Sequence, residues 1–217
     1  MTSGLSPVAE RLLPLRLADL RVAVDVQHLY KAHDPNDRGA VFTFMDGTKT
    51  TEAAAATAYA HALCDYLTAR GAAVLTNNPV TGKLVGYYSK RNVDAAIWHA
   101  DLYIACHVNA GGGAYAQAEY MLGRAGSDLA AIIGLAIVQG SQGGIRSSRV
   151  VSLSRGQRGA PCIQECPPSM PAVLAEPFFG DTISMQQWLR PAGAATIGRS
   201  IGAGIETWWL RKRAVAG

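Results

Sequence analysis

The chain is 217 residues long, with 49% hydrophobic and 17% charged residues and a formal net charge of +4 at pH 7. That length suits one domain with a sizeable core, and the excess of apolar over charged residues excludes an intrinsically disordered chain. The mild charge permits attraction to a polyanion without demanding it. The basic clusters Lys90-Arg91 and Arg211-Lys212-Arg213 lack interleaved aromatics, read as solvated helix ends, and imply no nucleic-acid partner.

Residues 1–20 carry leucines at 12, 13, 15, 17 and 20, interrupted by Glu10, Arg11, Pro14, Arg16 and Asp19. They read as a short N-terminal extension to a domain spanning 21–217. No uninterrupted signal-peptide core and no run near the ~18 residues of a membrane span is visible, so synthesis in the cytoplasm without stable membrane insertion is expected.

Arg21 to Val26 is β-branched and predicts the first core strand, running straight into Gln27-His28-Leu29. Tyr30 to Thr51 is rich in turn formers (Asp34-Pro35-Asn36-Asp37, Gly39, Asp46-Gly47) and predicts a long loop with a hairpin across Val41 to Phe44. An alanine-rich helix follows from Thr51 to Arg70, closed by Gly71. Glu52 lies in its first turn, where a carboxylate also suits the helix dipole. Ala72 to Thr76 predicts a second strand and Ser89 to His99 a helix. Then comes Leu102 to Cys106, apolar enough for a strand buried on both faces, delivering His107 where the hydrophobicity stops. A histidine there is either a site residue or a loop residue that simply hydrogen-bonds.

Further strands are predicted at Gln117 to Leu122, Arg149 to Leu153 (an edge) and Pro171 to Pro177, the last carrying Glu176. Helices are predicted at Asp128 to Gln139, Ile183 to Leu189 and Ala194 to Leu210, the last packing Ile197, Ile201, Ile205 and Trp208. Pro161 to Pro171, with its prolines and cysteines, reads as an irregular loop. Of the four cysteines, Cys64 and Cys106 sit in apolar patterns and read as small buried hydrophobes. Cys162 and Cys166 lack the second pair that a structural zinc site needs, so they read as a loop disulfide or two free thiols. The alternation of strand and helix argues for a single-domain α/β fold, a layered, mostly parallel or mixed central sheet flanked by helices.

His28, Glu52, His107 and Glu176 all fall at strand ends or at a helix start. In a mostly parallel sheet these positions share one rim. Two imidazoles and one carboxylate suit a hydrolytic zinc ion with an open position, and the remaining carboxylate can shuttle the proton of a water.

Four ordered segments resemble the zinc-dependent N-acetylmuramoyl-L-alanine amidases of bacterial cell-separation enzymes and phage endolysins. They are Asp25-Val-Gln-His28-Leu-Tyr; Glu52 opening a long helix before Gly71-Ala-Ala-Val-Leu-Thr76; Arg91 followed by Ala100-Asp-Leu-Tyr-Ile-Ala-Cys-His107-Val-Asn109-Ala110; and Pro171-Ala-Val-Leu-Ala-Glu176-Pro-Phe-Phe179. The resemblance implies His28, Glu52 and His107 as zinc ligands, Glu176 as general base, and peptidoglycan as substrate, cut between the muramic-acid lactyl group and L-alanine. Arg91 and Asn109 then orient ligands or substrate, or serve structure alone. The chain departs from the family at Val26, Gln27, Leu29 and Tyr30, where the family has proline and glycines, at Pro177, and across Cys162 to Ser169. Without an export segment, a phage endolysin is the favoured setting. The alternatives are another zinc amidohydrolase or carboxypeptidase acting on small acyl-amino acids, and a non-catalytic wall-binding module.

Overall fold

A computed structural model describes residues 16–29, 38–77 and 84–216. Most of the N-terminal extension, and part of the long loop after Leu29, lie outside the described residues. In chain order the elements are β1 (Arg21–Val26), β2 (Val41–Thr43), β3 (Lys49–Thr51), α1 (Glu52–Ala69), β4 (Ala73–Thr76), α2 (Tyr88–Ile97) and β5 (Leu102–Cys106). They continue with β6 (Ala116–Met121), α3 (Ser127–Gly140), β7 (Ser148–Leu153), β8 (Ala172–Glu176) and α4 (Pro191–Ala216).

Six strands form one mixed sheet in the order β4-β1-β5-β8-β6-β7, and β2 and β3 form a separate antiparallel hairpin. β4, β1, β5 and β8 run parallel, β6 is antiparallel to β8, and β7 is parallel to β6. The expected α/β architecture is therefore present, with β7 at the edge.

Strand alternation sorts side chains between two apolar layers. Val22, Val24, Val26, Leu102, Ile104, Cys106, Val173 and Ala175 belong to the layer that includes residues of α1, α3 and α4. Ala23, Tyr103, Ala105, Ala172 and Leu174 belong to a smaller layer with Tyr88 and Ala95 of α2 and Cys162, Ile163, Cys166 and Met170. Each layer forms because successive strand residues face opposite ways. By the same parity Asp25, His107 and Glu176 fall on the second side. Leu17 and Leu20, which precede β1, are completely buried in the first layer.

α1 begins where Thr51 accepts the Ala54 N–H at 3.2 Å, and it ends in a Schellman motif. There the N–H groups of Gly71 and Ala72 donate to Thr68 and Leu67 at 3.0 and 3.1 Å, with Gly71 at φ +92°. Two segments differ from expectation. Ile183–Leu189 is a 3-10 helix, whose three-residue turn aligns buried Met185 and Trp188 on one side. The stretch from Pro161 to Pro171 is packed rather than loose. It opens on the 3-10 turn Ala160–Cys162 and buries Ile163, Cys166 and Met170. All four cysteines are outside disulfides, which leaves the free-thiol alternative. Among the described residues, no helix is long and apolar enough to cross a membrane.

Candidate active site

His28 lies two residues beyond β1, His107 one beyond β5, and Glu176 closes β8, so three parallel strands deliver them to one rim. Glu52 is the first residue of α1. The structure brings all four into one cleft of about 660 Å³.

One donor atom each from His28, Glu52 and His107 can be chosen so that all lie within 4.8 Å of one another. Glu52 Oε1 is 2.5 Å from His107 Nδ1 and 3.4 Å from His28 Nε2, and the two rings meet edge-on with centroids 4.9 Å apart. This span suits a single ion bonded at about 2.0–2.2 Å to each donor, and two imidazoles with one carboxylate are a zinc-type set. The protonation states fit as well. Burial pushes the Glu52 carboxyl up, but its hydrogen bonds and charge interactions with His107 and His28 outweigh that and hold it well below the usual range. Burial, with His28 alongside, lowers the His107 ring against the opposing pull of Glu52, which favours the neutral form that a metal ligand needs.

The donors are held from behind. Ala40 N–H donates to Glu52 Oε2 at 3.0 Å, and a Cβ on Gly39, at φ +71°, would come within 2.5 Å of that oxygen. Only glycine fits there. The Tyr59 hydroxyl from α1 lies 2.8 Å from the His107 carbonyl and 3.3 Å from that of Ala175, tying the ends of β5 and β8 to the helix. Asn77 grips Val26 at both ends, accepting its N–H at 2.8 Å and donating to its carbonyl at 2.7 Å. Beneath β1 the fully buried Arg91 pairs with Asp25, which also accepts from Tyr103 and from Gln27. Arg91 reaches the Val26 carbonyl at 3.2 Å as well, so it braces the strand that carries His28. His28 itself adopts φ +59°, a left-handed turn made here without the family's flanking glycines.

Glu176 is held on one side only. Asn109 Nδ2 donates to its Oε2 at 2.6 Å and Gln117 Nε2 reaches the same oxygen at 3.2 Å. Burial, then the charges of Glu119 and Glu52, push its carboxyl up to about 8 against the pull of Arg158 and Asn109. Glu119 is buried too, accepts from Gln117 at 2.5 Å, and is itself raised by burial.

Gln117, Glu119, Arg158 and Cys162 were not anticipated as site residues, although all line the cleft. Gln117 and Glu119 sit at alternate positions of β6, on one face by strand pattern, and the pairing of β6 with β8 sets that face beside Glu176. Cys162 and Arg158 come from a segment without periodicity.

Solved structures identify the fold. The chain matches the N-acetylmuramoyl-L-alanine amidase AmiC2 of Nostoc punctiforme with a TM-score of 0.70 at 17% identity, over 89% of this chain and 99% of that one. The fold is that of the N-acetylmuramoyl-L-alanine amidases. Cwp6 from Clostridium difficile matches at 0.69 and 22% identity, over 87% of this chain, which spans 29% of Cwp6. The catalytic domain of the CD27L endolysin, which targets Clostridia difficile, matches this amidase fold at 0.55 and 18% identity, over 86% and 96% of the two chains. No protein-family model and no curated protein matches the sequence.

Proposed function

We propose that the protein is a zinc-dependent N-acetylmuramoyl-L-alanine amidase that hydrolyses the amide between the muramic-acid lactyl group of peptidoglycan and L-alanine of the stem peptide. The observation that carries this reading is the convergence of His28, Glu52 and His107 in one cleft with a separately held carboxylate, Glu176. The amidase fold of its structural neighbours supports it.

His28, Glu52 and His107 would hold the ion. A bound zinc supplies Lewis-acid activation of a water and of the scissile carbonyl. Glu176 takes the proton from that water and returns it to the departing nitrogen of L-alanine as the C–N bond breaks. Its Oε2 is occupied by the amide donors of Asn109 and Gln117, which leaves Oε1 to carry the proton. In the metal-free protein, burial and then the charge of Glu119 raise the proton affinity of Glu176.

Purified sacculi incubated with the zinc-loaded protein, followed by mass spectrometry of the soluble fraction, test the reading. Free stem peptides with an L-alanine amino terminus support it. Shortened stems still attached to muramic acid mean a peptidase, and binding to sacculi without release means a wall-binding module.

The finer setting we propose is a phage endolysin, supported by the fold shared with the CD27L catalytic domain. Expression inside bacteria, followed by chloroform permeabilisation of the inner membrane, should produce rapid lysis. Intact turbidity with active soluble enzyme would contradict that setting.

A further inference from the structure

We propose that Cys162 is a positioning residue of the metal centre, its Sγ serving as the acceptor for the Nε2–H of His107 when Nδ1 of that ring binds the ion. The inference rests on the proposed function. The two ring nitrogens of His107 face different partners: Nδ1 lies 2.5 Å from Glu52 Oε1, on the side of the donor cluster, and Nε2 lies 3.5 Å from Cys162 Sγ. A neutral imidazole carries one proton, so a ring that ligates through Nδ1 must carry it on Nε2. The His107 side chain is only 13% exposed, and an Nε2–H on its Cys162 side without an acceptor would leave the ligand less firmly oriented. The thiol sulfur accepts only weakly, but it stands where the acceptor is needed.

The backbone that carries the sulfur is also held in place. Cys162 is 4% exposed, at the end of the 3-10 turn Ala160–Cys162. Its N–H donates to Gly159 at 3.0 Å and its carbonyl accepts from Asn92 Nδ2 at 2.9 Å. Asn92 lies fully buried on α2, and its Oδ1 accepts the Glu165 N–H at 3.2 Å. A helix and a packed loop therefore fix the backbone of Cys162 beside the ring. Cys162 is outside the donor cluster found among the described residues, so the role we assign it is support of a ligand.

The test compares the full-length parent with Cys162→Ala and Cys162→Ser, reading zinc dissociation constants by chelator competition and the His107 Nε2–H resonance in zinc-loaded protein. Removing the acceptor is expected to weaken zinc about 10-fold and to speed solvent exchange of that proton until its signal broadens. Serine, a shorter but stronger acceptor, should stay within about 3-fold of the parent and keep the protected proton. Loss of packing alone does not predict that rescue. Equal zinc affinity and equal Nε2–H protection in parent and Cys162→Ala overturn the inference alone. So does a thiolate-to-metal absorption band in the cobalt-loaded parent that Cys162→Ala removes, because Cys162 is then a ligand. A parent that binds no zinc overturns the metal-centre reading together with this inference.

Discussion

At Glu176 burial and neighbouring negative charge favour the protonated carboxyl, whereas proton abstraction requires the ionised one. In metal-free protein the folded-state value of about 8 stands above the usual 4.5 of an unfolded glutamate. The folded state therefore keeps this proton at pH values where the unfolded chain has lost it. Stability from Glu176 is complete below about 4.5 and is lost as pH rises through 8. Glu176→Gln should then be more stable than the parent at pH 9 by on the order of 2–4 kcal/mol, with the gap closing near pH 4, as chemical denaturation of the apo proteins would record. The same variant should retain zinc and lose about 10²–10⁴-fold in turnover. Asn109→Ala frees Glu176 Oε2 from its shortest donor, and should lower kcat about 10-fold with the zinc dissociation constant unchanged. Gly39→Ala acts on the opposite wall. It thrusts a methyl group against Glu52 Oε2 from a backbone that L-residues avoid, so zinc affinity by chelator competition should fall about 10-fold or more.

Among the elements, α1 carries the clearest division between what sequence reveals and what it hides. Its extent was legible because alanines favour helix, Thr51 caps the start and Gly71 supplies the left-handed exit. Gly71→Ala should cost about 1 kcal/mol in denaturant unfolding without altering zinc binding. The strands β1, β5 and β8 were equally legible from their apolar runs, and with them the rim that gathers His28, His107 and Glu176. The 161–171 segment was not. Its buried Ile163, Cys166 and Met170 stand three and four residues apart, but Pro161, Pro167, Pro168 and Pro171 break any longer regular element there, and packing within the smaller apolar layer decides their burial. With that segment went Cys162, whose meaning depends on a ring 55 residues away. Glu119 was hidden differently: a glutamate inside an alternating strand reads as solvent-facing, and only the pairing of β6 with β8 turns it toward Glu176.

For the molecule as a whole, the thinner side of the sheet combines a fully buried ion pair with the cleft above it. Asp25 and Arg91 join β1 to α2, and Tyr103 of β5 completes the cluster. Arg91→Ala leaves Asp25 buried without its countercharge, and should destabilise the fold by about 3–5 kcal/mol. If the three donors hold an ion, they also couple β1, α1 and β5 at the rim. Free zinc at 100 times its dissociation constant should then add about 2.7 kcal/mol of stability and raise Tm by roughly 5–10 °C, reversed by chelation. The most direct test counts zinc by elemental analysis after dialysis, in the parent and in His107→Ala. We predict about one ion per chain in the parent and its loss in the variant, as three protein ligands require. A parent without zinc, or a His107→Ala protein that retains it in full, would contradict the metal centre on which the amidase account stands.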